Sequence, residues 1–173
     1  MPEILGASAG LLVVLFGGTW LLSLRTKDVS VVDVLWGLAF VAVAWLACGL
    51  GDGSKDRRVL LAALVSAWGL RLATHLALRK RGEGEDRRYA AMRRKWGPSF
   101  ARRSLVSVFT LQAVLVLVVS LPITAIATRG PRRLGWLDAL GALVWLVGFT
   151  FEAVGDLHRG RIGVAIAGDN PAT

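Results

Sequence analysis

The 173 residues make one domain-sized chain, in which 54% hydrophobic residues and a mean hydropathy of +0.56 coexist with a net charge of +9. A basic soluble protein would point to nucleic acid, but the apolar runs here are too long for that class, and the charges lie between them. The lone cysteine, Cys48, excludes an internal disulfide and, set in an apolar run, reads as a small core residue.

In chain order, five runs each approach the ~20 residues that cross a bilayer: Ile4–Leu24, Val29–Leu50, Val59–Leu78, Ser104–Ala127 and Leu134–Leu157. The expected fold class is all-α: a polytopic helical membrane protein with about five transmembrane helices over residues 1–157 and a short tail, 158–173. Only Met-Pro-Glu precedes the first run, so it lacks the basic start of a signal peptide and reads as a retained helix. "CGLGDGSKDRR" and "TRGPRRLGW" read as tight reversals. Pro122 should kink the fourth span rather than end it, because apolar residues continue to Ala127.

The long connection is the loop 79–103, which carries ten Lys/Arg. Within it Tyr89, Met92 and Trp96 recur at i, i+3 and i+7 with arginines opposite, and Gly97-Pro98 follows. That pattern predicts a short helix in the headgroup region with its basic face on anionic lipid, or else a basic lid over a phosphate-bearing ligand. With five spans, fourteen Lys/Arg fall on the side of this loop and six on the other. The positive-inside rule then places the loop and the C-terminus in the cytoplasm and the N-terminus outside an inner (plasma) membrane.

Ionisable groups inside spans are costly and mark a site or a buried pair. At 1.5 Å per residue, Arg71 lies about 12 Å and His75 about 6 Å before Arg79, and Glu152 and Asp156 lie about 10 Å and 5 Å before Arg159. Asp33 and Gln112 fall in the same half of the membrane. Arg71, His75 and Arg79 are four apart and stack on one helix face, as do Glu152 and Asp156. This implies a polar cavity open to the cytoplasm, with Arg71, His75, Glu152 and Asp156 as candidate catalytic groups able to polarise a carbonyl and relay a proton. The other reading is structural ion pairing, for instance Asp33 with Arg71. His75 and His158 lack the companions a metal site needs.

"VVDVLWGLAF", "WGLRLATHLALRKRGEGEDRRYAAMRRKWG" and "GWLDALGALVWLVGFTFEAVGD" resemble a bacterial family of multi-spanning membrane proteins related to the steroid 5-alpha-reductases. The more specific parts are Asp-x-x-Trp-Gly at the start of span two and Gly-Glu-Asp-x-Arg-Tyr in the loop. The resemblance implies an all-helical membrane fold, NADPH as cofactor, and reduction of a carbon–carbon double bond next to a carbonyl in a lipid-like substrate. Arg79, Arg87, Arg88 and Tyr89 are then the candidates for cofactor binding. Membrane methyltransferases using S-adenosylmethionine share the architecture and form one alternative; a non-catalytic membrane protein is the other. The family's R-Y-x-R-H-P-N-Y motif, which contributes to the cofactor site, does not occur in this sequence. The chain is therefore expected to correspond to the amino-terminal part of such an enzyme and, alone, to bind NADPH weakly or not at all.

Overall fold

In the computed structural model, residues 1–82, 84–130 and 134–168 are described. They are helical, with no strand among them: α1 (Pro2–Thr26), α2 (Val31–Leu50), α3 (Lys55–Arg79), α4 (Arg87–Trp96), α5 (Phe100–Ser104), a π-helical turn (Leu105–Thr110), α6 (Leu111–Val119), α7 (Leu121–Ala127) and α8 (Trp136–Gly168). Five helical stretches are long and apolar enough to cross a membrane: α1, α2, α3, the continuous run Arg87–Ala127, and the first 21 residues of α8. The chain divides into two units, residues 1–133 and 134–173.

In the first unit α2 packs on α3, α1 on α2 and the fourth span, and α7 on α2 and α3. The α2–α3 pair meets backbone to backbone. A Cβ at Gly37 would lie 2.7 Å from the carbonyl oxygen of Gly69, and one at Gly69 would lie 2.6 Å from that of Gly37. Glycines let spanning helices approach where no hydrophobic force drives them together. Trp36, Phe40 and Trp68 then pack edge to face around the crossing, with ring centroids 4.9 to 6.4 Å apart. Leu12, Phe16, Val32, Phe40, Val43 and Phe109 are buried at the heart of the unit.

The fourth span continues past Pro122 to Ala127, as expected, and adds a feature the sequence does not announce. Helix geometry lapses at one residue, Ser120, and resumes at Leu121, with Pro122 in the first turn of α7. Pro122 has no N–H to donate, while Thr124 N–H still reaches Ser120 O at 3.1 Å. Nearer its start the span widens into the π turn, where the Thr110 hydroxyl donates to Leu105 O at 2.9 Å.

The spans outrun their apolar cores: α3 begins at Lys55 rather than near Val59, and α8 continues to Gly168 through much of what reads as tail. In the second unit, Asp138 accepts the Gly135 N–H at 2.8 Å at the start of α8, and Trp145 and Phe149 stack with centroids 4.8 Å apart.

Candidate functional site at the loop-bearing end

Four segments meet at one end of the first unit: the end of α1, the start of α2, the end of α3, and α4. Helix α1 stops at Lys27, which adopts the left-handed conformation (φ 56°, ψ 32°) while Asp28 N–H reaches back to Ser23 O at 3.2 Å. Asp28 then accepts both the N–H (2.9 Å) and the hydroxyl (2.8 Å) of Ser30, which fixes the entry into α2. Lys80, just past α3, forms an ion pair with Asp28.

The loop folds back onto this turn. Glu85 accepts the Val29 N–H at 3.1 Å, and the Asp86 N–H donates to the Ser30 hydroxyl at 2.9 Å. Arg93 grips Glu85 with two nitrogens, at 2.9 and 2.7 Å, and reaches Lys27 O at 3.2 Å. Its guanidinium lies 4.1 Å from the centre of the Phe100 ring. A bidentate arginine–carboxylate pair is strong and directional, and the Glu85 side chain is only 12% exposed. Asp86 caps α4 by accepting the Arg88 N–H at 2.9 Å.

Helix α4 forms where the Tyr89/Met92/Trp96 spacing places it and ends at Gly97 (φ 49°). Its apolar stripe packs on the bundle: Tyr89 is buried, and Met92 and Trp96 lie against the core. Arg87, Arg94 and Lys95 on its other side are exposed. The Tyr89 hydroxyl donates to Asp33 at 2.9 Å, on the first turn of α2. Arg88 reaches the other Asp33 oxygen at 3.3 Å and holds Asp86 as well. Asp33, Ser30, Leu76, Arg79, Lys80 and Asp86 line a cleft of about 50 Å³.

Electrostatics follow from these bonds. Burial pushes the Asp28 carboxyl up, but Lys80 and the two Ser30 donors outweigh it and leave it below the ordinary carboxylate value. Glu85 behaves alike: burial raises it, and Arg93 and the Val29 N–H bring it below the usual range. Arg88 holds Asp86 low, through its side chain first and its N–H second.

The residues singled out in the sequence fall into three places. Arg79, Arg88 and Tyr89 join this cluster, and Arg87 lies exposed beside it. Arg71 and His75 continue the Arg79 stripe along α3, both half-buried. Glu152 and Asp156, also half-buried, are one turn apart on α8 and belong to the second unit. Asp28, Ser30, Glu85 and Arg93 were not expected in the site. Asp-x-Ser ahead of an apolar run was the available signal for the first two. Among the described residues no three His, Cys, Asp or Glu side chains are grouped to hold a metal.

Within this cleft the Tyr89 hydroxyl is engaged by Asp33, and Arg88 by two carboxylates.

Residues 19–161 match the family described as "Protein of unknown function (DUF1295)". No curated protein and no solved structure matches the chain. The match takes in α2 to α7, the loop cluster and the spanning part of α8, so the chain belongs to the DUF1295 family.

Proposed function

We propose that this protein acts in the reduction of a carbon–carbon double bond conjugated to a carbonyl in a lipid-soluble molecule, as in the 5-alpha-reductases it resembles, and that the Tyr89–Asp33 pair handles the carbonyl. The observation behind this reading is the 2.9 Å hydrogen bond between a buried phenol and a carboxylate that opens onto a polar cleft. Reduction of such a substrate loads negative charge onto the carbonyl oxygen. A preorganised donor at that oxygen lowers the barrier, and the same proton completes the enol. Asp33 faces the cleft, the Tyr89 hydroxyl turns its hydrogen from Asp33 to the carbonyl oxygen, and Arg88 fixes the second carboxylate oxygen. His75 and Arg71, one and two turns from Arg79, and Glu152 and Asp156 on α8 are proposed for the same chemistry, and Arg79 and Arg87 for attracting an anionic cofactor. NADPH is the reductant the resemblance implies, and the chain alone is proposed to bind it weakly or not at all. The loop-bearing end is placed in the cytoplasm, on the fourteen-to-six distribution of basic residues.

A second reading has its own support: each carboxylate of the cluster is already held by a cation or a hydroxyl. On that reading the cluster is a clasp for the loop and nothing more. The test uses membranes containing the full chain, NADPH and a series of long-chain conjugated enones and enals. Turnover that falls about 100-fold in Tyr89→Phe, with thermal stability little changed, supports the first reading. No turnover with any member of the series, at NADPH concentrations high enough to populate a weak site, rejects it in favour of the clasp. Binding of S-adenosylmethionine instead would move the protein to the methyltransferases.

A further inference from the structure

From Arg87 to Gly130 the sequence holds no Asp or Glu. Two cations of this stretch are satisfied from outside it, Arg88 by Asp86 and Asp33, and Arg93 by Glu85. Arg102 and Arg103 are exposed and have no carboxylate partner among the described residues. They stand on α5, at the head of the fourth span, where the chain passes from charged loop to apolar helix. With Trp96, Val106 and Ser107 they line an open groove of about 390 Å³. The groove is apolar below its two guanidinium groups: Val106 is 64% exposed, and the Ser107 hydroxyl is turned inward onto Arg103 O at 2.7 Å.

A second groove flanks the same turn. It runs down the seam between α1 and the fourth span, holds about 290 Å³, and is walled by Leu12, Phe16, Gly17, Leu105, Phe109 and Ala113 among others. Its one hydroxyl, Thr110, is spent on Leu105 O inside the π turn. Leu105 lines this groove and Val106 the other, so cationic and apolar recesses sit on successive residues of one helix. Gly17 on α1 leaves room beside Phe109, and no water-soluble anion has a use for that depth.

We propose that the two recesses together hold one anionic phospholipid, with its phosphate between Arg102 and Arg103 beside Trp96 and one acyl chain in the α1–span four groove. Guanidinium groups suit phosphate oxygens in pairs, and a tryptophan at the membrane boundary presents an apolar body to the chain and a polar edge to the headgroup. Charge complementarity selects the anionic class, and the apolar groove selects a lipid over free phosphate. This inference is independent of the reductase reading.

The experiment is native mass spectrometry of the full chain, released from mild detergent after exchange with defined mixtures of phosphatidylglycerol and phosphatidylcholine. The wild-type protein should retain one phosphatidylglycerol in preference to phosphatidylcholine. Each basic residue at such a surface is worth about a fivefold change in binding, so Arg102→Gln/Arg103→Gln should weaken retention by about 20- to 30-fold. Arg94→Gln/Lys95→Gln removes the same charge from the exposed side of α4 and should change it by less than about threefold. Ala113→Phe fills the apolar groove and leaves every cation in place; it too should reduce retention. Soluble glycerol phosphate should not compete. Equal retention of both lipids, equal loss in the α4 control, retention unaffected by Ala113→Phe, or competition by glycerol phosphate each overturns the proposal.

Discussion

At the loop-bearing end of the first unit, charged side chains do the joining; at the opposite end backbone meets backbone. There Gly53 N–H donates to Ala127 O at 3.0 Å, tying the α2–α3 turn to the end of α7. A Cβ at Gly53 would come within 2.4 Å of Arg129 O, and one at Gly51 within 2.4 Å of Ala127 O. Arg58 donates inward to Gly53 O at 3.1 Å and to Cys48 O. The first end thus carries titratable groups that respond to pH and to substitution of charge. The second is fixed by close backbone approach, with Arg58 as a charged tie. A protein that binds or reacts at one end and needs a fixed frame at the other divides its interactions in this way.

The most complete contrast concerns the side of the membrane each end faces, and it is all or none. In a Cys48→Ala background, a cysteine at Gly84 should escape a membrane-impermeant thiol reagent in intact cells, while one at Asp52 should be labelled. Labelling of Gly84→Cys from outside would reverse the two ends.

Next in size is Gly53→Ala. The added methyl group meets two carbonyl oxygens of the main chain, at 2.4 and 2.8 Å, and neither can move without dragging the end of α7. A cost of about 2 to 3 kcal/mol is expected, read as a lowered midpoint of thermal unfolding in detergent. Hydrogen exchange at the loop-bearing end should stay near the wild-type pattern at temperatures below that midpoint. An unchanged midpoint would mean that the turn is not fixed by close approach.

The spans were legible in the sequence because apolar length alone reports them, and so was the run of the fourth span past Pro122 to Ala127. Their limits were not: Lys55, Asp56, Arg57 and Arg58 form the first turn of α3, and hydropathy marks lipid contact rather than hydrogen-bonded extent. The π turn over "LVSVFT" has no signature in residue type. Of the site, the Arg71/His75/Arg79 stripe and helix α4 follow from periodicity within one helix. The bonds Val29–Glu85, Ser30–Asp86 and Asp33–Tyr89 each span 56 residues. Spacing does not report that a loop returns to a particular turn, although the Gly-Glu-Asp-x-Arg-Tyr stretch supplied three of the residues that do it.

A smaller effect is expected from Glu85→Gln, about 1 to 2 kcal/mol. The amide still accepts the Val29 N–H but no longer neutralises Arg93. Peptides covering residues 27–31 should exchange amide hydrogens faster, and the Gly53 end should not follow. The same local opening should appear in the wild-type protein on acidification. Glu85 and Asp28 are held below their ordinary values, so their contribution is fully present above their unfolded values, near pH 4, and is lost as pH falls through the lower folded values. Protection at 27–31, corrected for the intrinsic pH dependence of amide exchange, should therefore be flat through neutral pH and fall only below about pH 4. A loss of protection already at pH 6 would assign the clasp to other groups.

The smallest effect on stability belongs to Arg88→Gln, although the Arg88 side chain makes as many polar contacts as that of Arg93. It bonds Asp86 twice through its side chain and Asp33 once, yet its side chain is 66% exposed. Water competes for each bond, and an exposed pair of this kind is worth about 1 kcal/mol or less. The Asp86 cap on α4 survives, because it uses the Arg88 backbone N–H, which glutamine retains. Thermal unfolding should shift little. What changes is the second oxygen of Asp33, which loses its cation while the first keeps the Tyr89 hydroxyl. If the Tyr89–Asp33 pair handles a substrate carbonyl, Arg88→Gln should alter turnover, and its pH dependence, more than stability. A variant that instead unfolds as readily as Glu85→Gln would place Arg88 in the clasp alongside Arg93.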